Sequence, residues 1–96
     1  MPRKQREVEQ GLRQKGFRSR EGDHSYFIYW SQAGRKTAVF TKTSHGAREL
    51  TDSMLAQMAR QCRLSRSDFD RLVDCPLTRE DYELKLIAAA EIDVPE

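Results

Sequence analysis

Residues 22–31 read GDHSYFIYWS, a glycine-containing turn followed by a histidine and then an apolar, mostly aromatic run. Glycine followed by aspartate favours a turn, and aromatic and β-branched residues favour a strand. Because side chains alternate along a strand, the run divides into two faces. One face carries Tyr26, Ile28 and Trp30, and the other carries Phe27 and Tyr29. One of the two sets should lie beneath helices, so at least half of these side chains are expected in the core.

Two more strands are expected beside this one. Residues 17–21 alternate briefly between apolar and polar side chains, and residues 36–42 alternate threonine and valine with alanine and phenylalanine. A turn with glycine at residues 32–35 precedes the last strand. Both connections from the central strand, residues 24–31, are too short for a parallel crossover. The sequence therefore predicts a three-stranded antiparallel meander.

A first helix is predicted before the strands, over residues 3–15. Val8 and Leu12 lie four positions apart there, among charged and glutamine residues, and form one narrow apolar stripe. Gly16 is placed to end this helix, since the residue at that position often needs a positive φ angle.

A second helix is predicted after the strands. Either Thr51 or Asp52 can accept hydrogen bonds from the free amides of its first turn. Its apolar stripe is the broadest in the chain and should cover one face of the sheet. The stripe consists of Met54, Leu55, Met58, Ala59 and Cys62.

Two shorter helices are predicted in the C-terminal third. Ser65 and Thr78 each precede an aspartate by three residues, which is a start signal of the capping-box kind. Pro76 separates the two helices, and residues 88–96 are predicted to be a frayed end.

Charge divides the chain into two opposite halves. Residues 1–48 contain 11 Lys and Arg against four Asp and Glu, and residues 49–96 contain six against 11, although the formal net charge is only +2. The basic half favours contact with a polyanion, and the acidic half can cover that surface, balance it or serve another contact. Two ordinary solvated faces are the alternative interpretation.

Length and composition indicate one domain of 96 residues, 38% of them hydrophobic. No apolar stretch approaches the length of a membrane span and no secretory signal is visible at Met1, so we expect a cytoplasmic protein without membrane contact. A disulfide would not persist there, and Cys62 and Cys75 are expected to be core thiols or helix-end residues. The two cysteines and the histidines at 24 and 45 have no recognised ligand spacing, so no metal or other cofactor is expected.

Three short motifs stand at the junctions of the predicted elements. They are KGF at residues 15–17, GDH at residues 22–24 and REL at residues 48–50. In this order they resemble motifs of the HicA-type toxins, also called YcfA-like, which are small mRNA-cleaving proteins of toxin–antitoxin pairs. The resemblance covers roughly residues 6–63. Asp23 stands where that family carries a small serine, and the helices from Ser65 onward extend past the usual end of its fold.

The element order is that of a layered α+β domain, α-β-β-β-α, related in topology to double-stranded RNA-binding folds. We expect a single domain over residues 1–96, with the HicA-like core at residues 3–63 and a C-terminal helical extension at residues 65–90.

The resemblance implies a metal-independent endoribonuclease that cleaves mRNA, with His24 as its catalytic residue and a cognate HicB-like antitoxin as the protein that blocks it. RNA can be cut when its own 2′-hydroxyl attacks the adjacent phosphate, which needs a base, an acid and cations. A histidine ordinarily titrates near neutral pH and can take or give the proton. Phosphate binding is expected from Arg18, Arg20, Arg35, Lys36 and Lys42.

Each functional assignment has a structural alternative. His24 also fits a strand-end histidine that makes a turn hydrogen bond or packs beside Tyr26, and the cations fit an ordinary protein surface. His45, in a Ser-His-Gly loop, is a second candidate for function or a solvated loop residue. Two other functions stay open: a non-catalytic RNA-binding module, and a protein-interaction domain that uses the acidic helices around residues 68–74 and 80–83. The sequence indicates no oligomeric state.

Overall fold

The computed structural model describes residues 2–43 and 48–92 and has an α+β architecture. Its elements in chain order are β1 (Arg3–Lys4), α1 (Gln5–Gln14), β2 (Phe17–Glu21), β3 (Ser25–Trp30), β4 (Lys36–Thr43), β5 (Glu49–Leu50), α2 (Asp52–Gln61), α3 (Arg66–Asp74) and α4 (Arg79–Ala88). Strands β2, β3 and β4 form an antiparallel sheet in that order, which confirms the predicted meander. His45 lies outside the described residues.

The helix ends follow the local signals in the sequence. Thr51, Ser65 and Thr78 each accept a hydrogen bond from the backbone amide three residues later, as predicted. Gly16 has a φ of +96°, and a Cβ atom there would lie 2.6 Å from Nε of Arg79. Glycine is therefore favoured at residue 16, directly after α1, for two reasons: the backbone is left-handed there, and α4 leaves no room for a Cβ atom.

The predicted start of the first helix is wrong by two residues. Helix α1 begins at Gln5, because Arg3 and Lys4 pair antiparallel with residues 49–50 in a second, two-stranded sheet. A strand of two residues has no periodicity to read, so the sequence pattern did not predict this pairing.

One face of the three-stranded sheet is buried beneath the helices. Phe27 and Tyr29 of β3 are fully buried, together with Phe17 of β2. Tyr82 of α4 stacks on Phe17 with ring centroids 5.9 Å apart and meets Tyr29 edge-on at 5.2 Å. Helices α1 and α2 contact the same sheet, and α3 packs against both. The alternate side chains of β3, which begin with Tyr26, consequently lie on the opposite face of the sheet, which we call the open face.

The C-terminal helices share the core of the sheet. Phe69, Leu72, Tyr82 and Leu86 are all essentially inaccessible to solvent. The buried Lys15 ammonium at the end of α1 donates to the backbone carbonyls of residues 72 and 77, at 2.6 and 3.0 Å. An Arg79 terminal nitrogen donates to the carbonyls of residues 30 and 31 at the end of β3, at 2.9 and 3.2 Å. Helices α3 and α4 are therefore tied to the sheet by polar contacts as well as by apolar burial.

Replacing Glu83 by alanine should reduce the free energy of unfolding by about 2–3 kcal/mol. Glu83 is 3% exposed, and its carboxylate accepts hydrogen bonds from the Tyr29 hydroxyl at 2.6 Å and the Gln32 backbone amide at 2.8 Å. Without it these donors lose their acceptor in a buried position. Urea unfolding measures the loss, and Glu80→Ala on the exposed side of the same helix should cost less than about 1 kcal/mol. Equal losses in the two variants would contradict this role of Glu83.

Stability should also fall as the pH rises above about 10. Burial raises the pKa of the Tyr82 and Tyr29 hydroxyls above their ordinary value. The unfolded chain then releases these protons at a lower pH than the folded chain, so alkali favours unfolding. Thermal unfolding from pH 8 to 11 tests this, and Tyr82→Phe should flatten the decline. A Tyr82→Phe curve parallel to that of the wild type would show that this hydroxyl is not responsible.

Candidate functional site

The open face of the sheet carries three rows of side chains that run across the strands. Strand register places Arg20, Tyr26 and Lys42 in the first row, Arg18, Ile28 and Phe40 in the second, and Trp30 and Lys36 in the third. Neighbouring rows are two residues apart along β2 and β3, or about 7 Å. An irregularity in the β3–β4 pairing leaves Phe40 and Lys36 four residues apart along β4. The face therefore alternates aromatic or aliphatic groups with cations.

Apolar side chains on this face are accessible to solvent. Phe40 is 45% exposed, and among residues 2–43 and 48–92 the other large hydrophobic side chain with high exposure is Leu84, at 62%. Tyr26 and Phe40 lie with ring centroids 6.4 Å apart and tilted by 54°. They line a shallow depression together with Ile28, the cations Arg20 and Lys36, and one acidic residue, Glu21. Exposed rings grouped with cations on one sheet face are a feature that core packing does not explain.

Arg18 and Trp30 form a stacked pair at one end of the face. The guanidinium carbon of Arg18 lies 4.1 Å from the centroid of the Trp30 ring. This is close enough for a cation–π interaction, and the guanidinium covers part of the half-buried indole.

His24 lies at the other end, in the turn between β2 and β3. The last paired residues are Glu21 and Ser25, and the Ser25 hydroxyl donates to the Glu21 carboxylate at 3.0 Å. This contact closes the turn just beside the histidine. The His24 ring is partly exposed and meets Tyr26 edge-on, with centroids 6.3 Å apart and an interplanar angle of 88°.

A cleft beside His24 brings the sheet edge and α2 together. The β2–β3 turn contributes His24, and strand β4 contributes Lys42 and Thr43. Helix α2 contributes Met54, Gln57, Met58 and Gln61. Of the described residues that line it, none is acidic. The polar groups of this cleft include an imidazole, an ammonium and two side-chain amides, which suit an anionic ligand.

Hydrogen bonds to residues outside the cleft hold two of the side chains that line it, those of Gln61 and Thr43. The Thr41 hydroxyl donates to Oε1 of Gln61 at 2.7 Å, which leaves the amide NH₂ of Gln61 to donate elsewhere. The Thr43 hydroxyl donates to the Glu9 carboxylate at 2.8 Å, and this carboxylate also accepts from Gln5 at 2.8 Å. The Glu9 carboxylate behind Thr43 is thus engaged by two hydrogen-bond donors.

The residues predicted for the site fall into two groups. His24 and Lys42 line one cleft, and Arg20 is in the same row as Lys42. The other group lies toward the Trp30 end of the sheet: Lys36 shares the row of Trp30, Arg35 lies in the adjoining turn, and Arg18 lies in the middle row with its guanidinium against Trp30. That end is four residues further along β3, or about 13 Å. The expected rim of five cations around His24 is therefore spread along the whole open face.

Two cleft residues were missed by the reasoning from sequence. Gln57 and Gln61 lie four positions apart on α2 and so share one side of the helix. This polar pair borders the apolar stripe, but nothing in the sequence shows that this side meets His24.

The cations of the open face differ from Arg3 and Arg66 on the helical side of the molecule. Within the described parts of the chain, Arg18, Arg20, Lys36 and Lys42 have no carboxylate within ion-pair distance. On the helical side, Arg3 and Arg66 both bind Asp70. These four cations of the open face are consequently left without a partner carboxylate within the described residues.

Neither a metal-binding cluster within the described residues nor a match to a known protein adds to this geometry. Residues 2–43 and 48–92 contain no group of three or more His, Cys, Asp or Glu arranged to hold a metal ion. No helix in the described ranges has the length and apolar character needed to cross a membrane. Comparison with protein-family models, curated proteins and solved structures finds no match to the chain. Membership of the HicA-type family stays a prediction.

Arg18→Ala should make Trp30 more accessible to a neutral quencher. Trp30 is the one tryptophan of the chain, so its fluorescence reports this end of the open face. The Stern–Volmer constant for acrylamide should rise in Arg18→Ala and stay unchanged in Arg71→Ala, which removes an exposed arginine from α3. An unchanged constant in Arg18→Ala would show that the guanidinium does not shield the indole in solution.

Proposed function

We propose that the protein is a HicA-type endoribonuclease, with a fold of the double-stranded RNA-binding kind, that cleaves mRNA at the His24 cleft. The observation that carries this proposal is the partly exposed imidazole placed in one cleft with Lys42 and two side-chain amides. A proton-transfer group beside a cation is what cleavage by the 2′-hydroxyl requires.

The reaction is a transesterification within the RNA. The 2′-oxygen forms a bond to phosphorus and the bond from phosphorus to the 5′-oxygen breaks, leaving a 2′,3′-cyclic phosphate and a 5′-hydroxyl. Neutral His24 accepts the 2′-hydroxyl proton, or protonated His24 donates to the departing 5′-oxygen, and water exchanges the other proton. Lys42 offsets the charge that grows on the phosphate oxygens. No metal ion takes part in this proposed reaction.

The toxin assignment adds a partner and a location. A cognate HicB-like antitoxin would inhibit the enzyme by covering the His24 cleft, and both proteins would act in the cytoplasm. Expression of the protein alone should then slow growth, and His24→Ala should relieve the effect.

The alternative of a protein-interaction domain has less support from the geometry. Asp68, Asp70 and Asp74 of α3 are engaged in ion pairs with basic side chains of the same protein. The apolar stripes of α3 and α4 are buried in the core. Deleting these helices would remove core residues, so the deletion does not separate docking from RNA activity.

Purified protein should cleave single-stranded RNA in the presence of a chelator, and His24→Ala should lower the rate by about 10²–10⁴-fold. The loss follows from removing the group that transfers the proton. Gel analysis gives the rate, and mass spectrometry should find cyclic phosphate and 5′-hydroxyl ends. RNA with a 2′-deoxy sugar at the scissile position should resist cleavage.

Two controls separate this loss from misfolding and from the second histidine. His24→Ala should unfold at the same urea concentration as the wild type, and His45→Ala tests the other histidine in the same assay. Equal cleavage by the wild type and His24→Ala would remove His24 from the mechanism. Binding without any cleavage would favour the non-catalytic RNA-binding function.

A further inference from the structure

We propose that the open face of the sheet is a stacking platform for unpaired RNA, with Tyr26 and Phe40 holding bases and the flanking cations holding phosphates. This inference rests on the proposed function for its choice of RNA, because the adjoining cleft is proposed to act on a 2′-hydroxyl. It adds the surface that would hold the strand and the residues that would contact its bases.

The aromatic groups are placed where bases can reach them. Phe40 is 45% exposed, and its ring centroid lies 6.4 Å from that of Tyr26, in a depression that no helix of the described residues lines. Aromatic rings on an open sheet offer flat apolar surfaces, and every unpaired base has a face that stacks on them. In a duplex the base faces are covered by their neighbours, so a double strand would not use these rings.

The charges favour a polyanion over the other occupants of an apolar sheet face. Arg18, Arg20, Lys36 and Lys42 surround the rings, and within the described residues none of them pairs with a carboxylate. In a two-fold dimer built on this face, the eight cations would repel one another. A phosphate backbone neutralises them and releases counterions.

The platform leads directly to the cleft. Tyr26 contacts both Phe40 on the open face and His24 in the cleft. Lys42 belongs to the Tyr26 row and also lines the cleft. A single strand of RNA stacked on the rings would thus continue past Lys42 toward His24. The Arg18–Trp30 pair lies at the other end of the open face.

The test is binding of a fluorescein-labelled, unstructured oligoribonucleotide, measured by anisotropy. All variants carry His24→Ala, so that the RNA stays intact and binding is read apart from cleavage. Phe40→Leu keeps an apolar side chain without a ring and should weaken binding about 5- to 150-fold, as expected for the loss of one stacked base. Phe40→Trp should restore it. Leu84→Ala, at the exposed apolar residue of α4, should bind like the parent.

Each outcome of this binding experiment supports or overturns a stated part of the proposal. Equal affinity of Phe40→Leu and its parent would overturn the platform, and so would equal or tighter binding of duplex RNA of the same sequence. Tighter binding of the matching single-stranded DNA, or binding of anionic vesicles in place of RNA, would overturn the assignment to RNA. If cleavage by the wild type persists in His24→Ala while Phe40→Leu loses affinity, the proposed catalytic role fails and the platform stands.

Discussion

The structure depends on the packing of its helices on one side only of a three-stranded sheet. Strand alternation sends Phe27 and Tyr29 to that face, where α1, α2 and α4 contact the sheet and its side chains. The same alternation sends Tyr26, Ile28 and Trp30 the other way, where no helix of the described chain covers them. The exposed aromatic face is thus a direct consequence of how the core is packed. The proposed RNA contact uses these side chains, which the core does not bury.

The C-terminal helices make this one-sided packing specific. Tyr82 packs against both Phe17 and Tyr29, and its hydroxyl donates to the carbonyl of residue 62 at 2.8 Å. Lys15, Arg79 and Glu83 each place a charged group against backbone or hydroxyl partners within this side of the molecule. Since an unpaired buried charge is costly, these contacts disfavour other arrangements of the helices on the sheet. Arg79 also holds the carbonyls that follow Trp30, so the extension fixes one end of the open face.

Local signals account for what the sequence predicted well. Three threonine or serine caps, the glycine at residue 16 and the turn before β3 mark most element boundaries, because each acts through atoms within a few residues. Contacts between distant residues account for what it did not predict. Lys15 donates to carbonyls 57 and 62 positions later, and the β1–β5 pairing joins Arg3 to Leu50 and Lys4 to Glu49. Gln57 and Gln61 enter the cleft only because α2 packs beside the turn that holds His24, and His45 lies outside the described residues.

A proton-transfer group, a cation and an aromatic surface form one continuous region of the molecule. We propose that RNA occupies this region, the open face and the His24 cleft, and not the helical side. The most direct test is amide and aromatic NMR shift mapping of the full chain carrying His24→Ala as single-stranded RNA is added. We expect shifts concentrated on Tyr26, Ile28, Phe40 and the Trp30 indole, with the exposed sides of α3 and α4 unchanged. Shifts confined to α3 and α4, with the open face silent, would contradict this proposal.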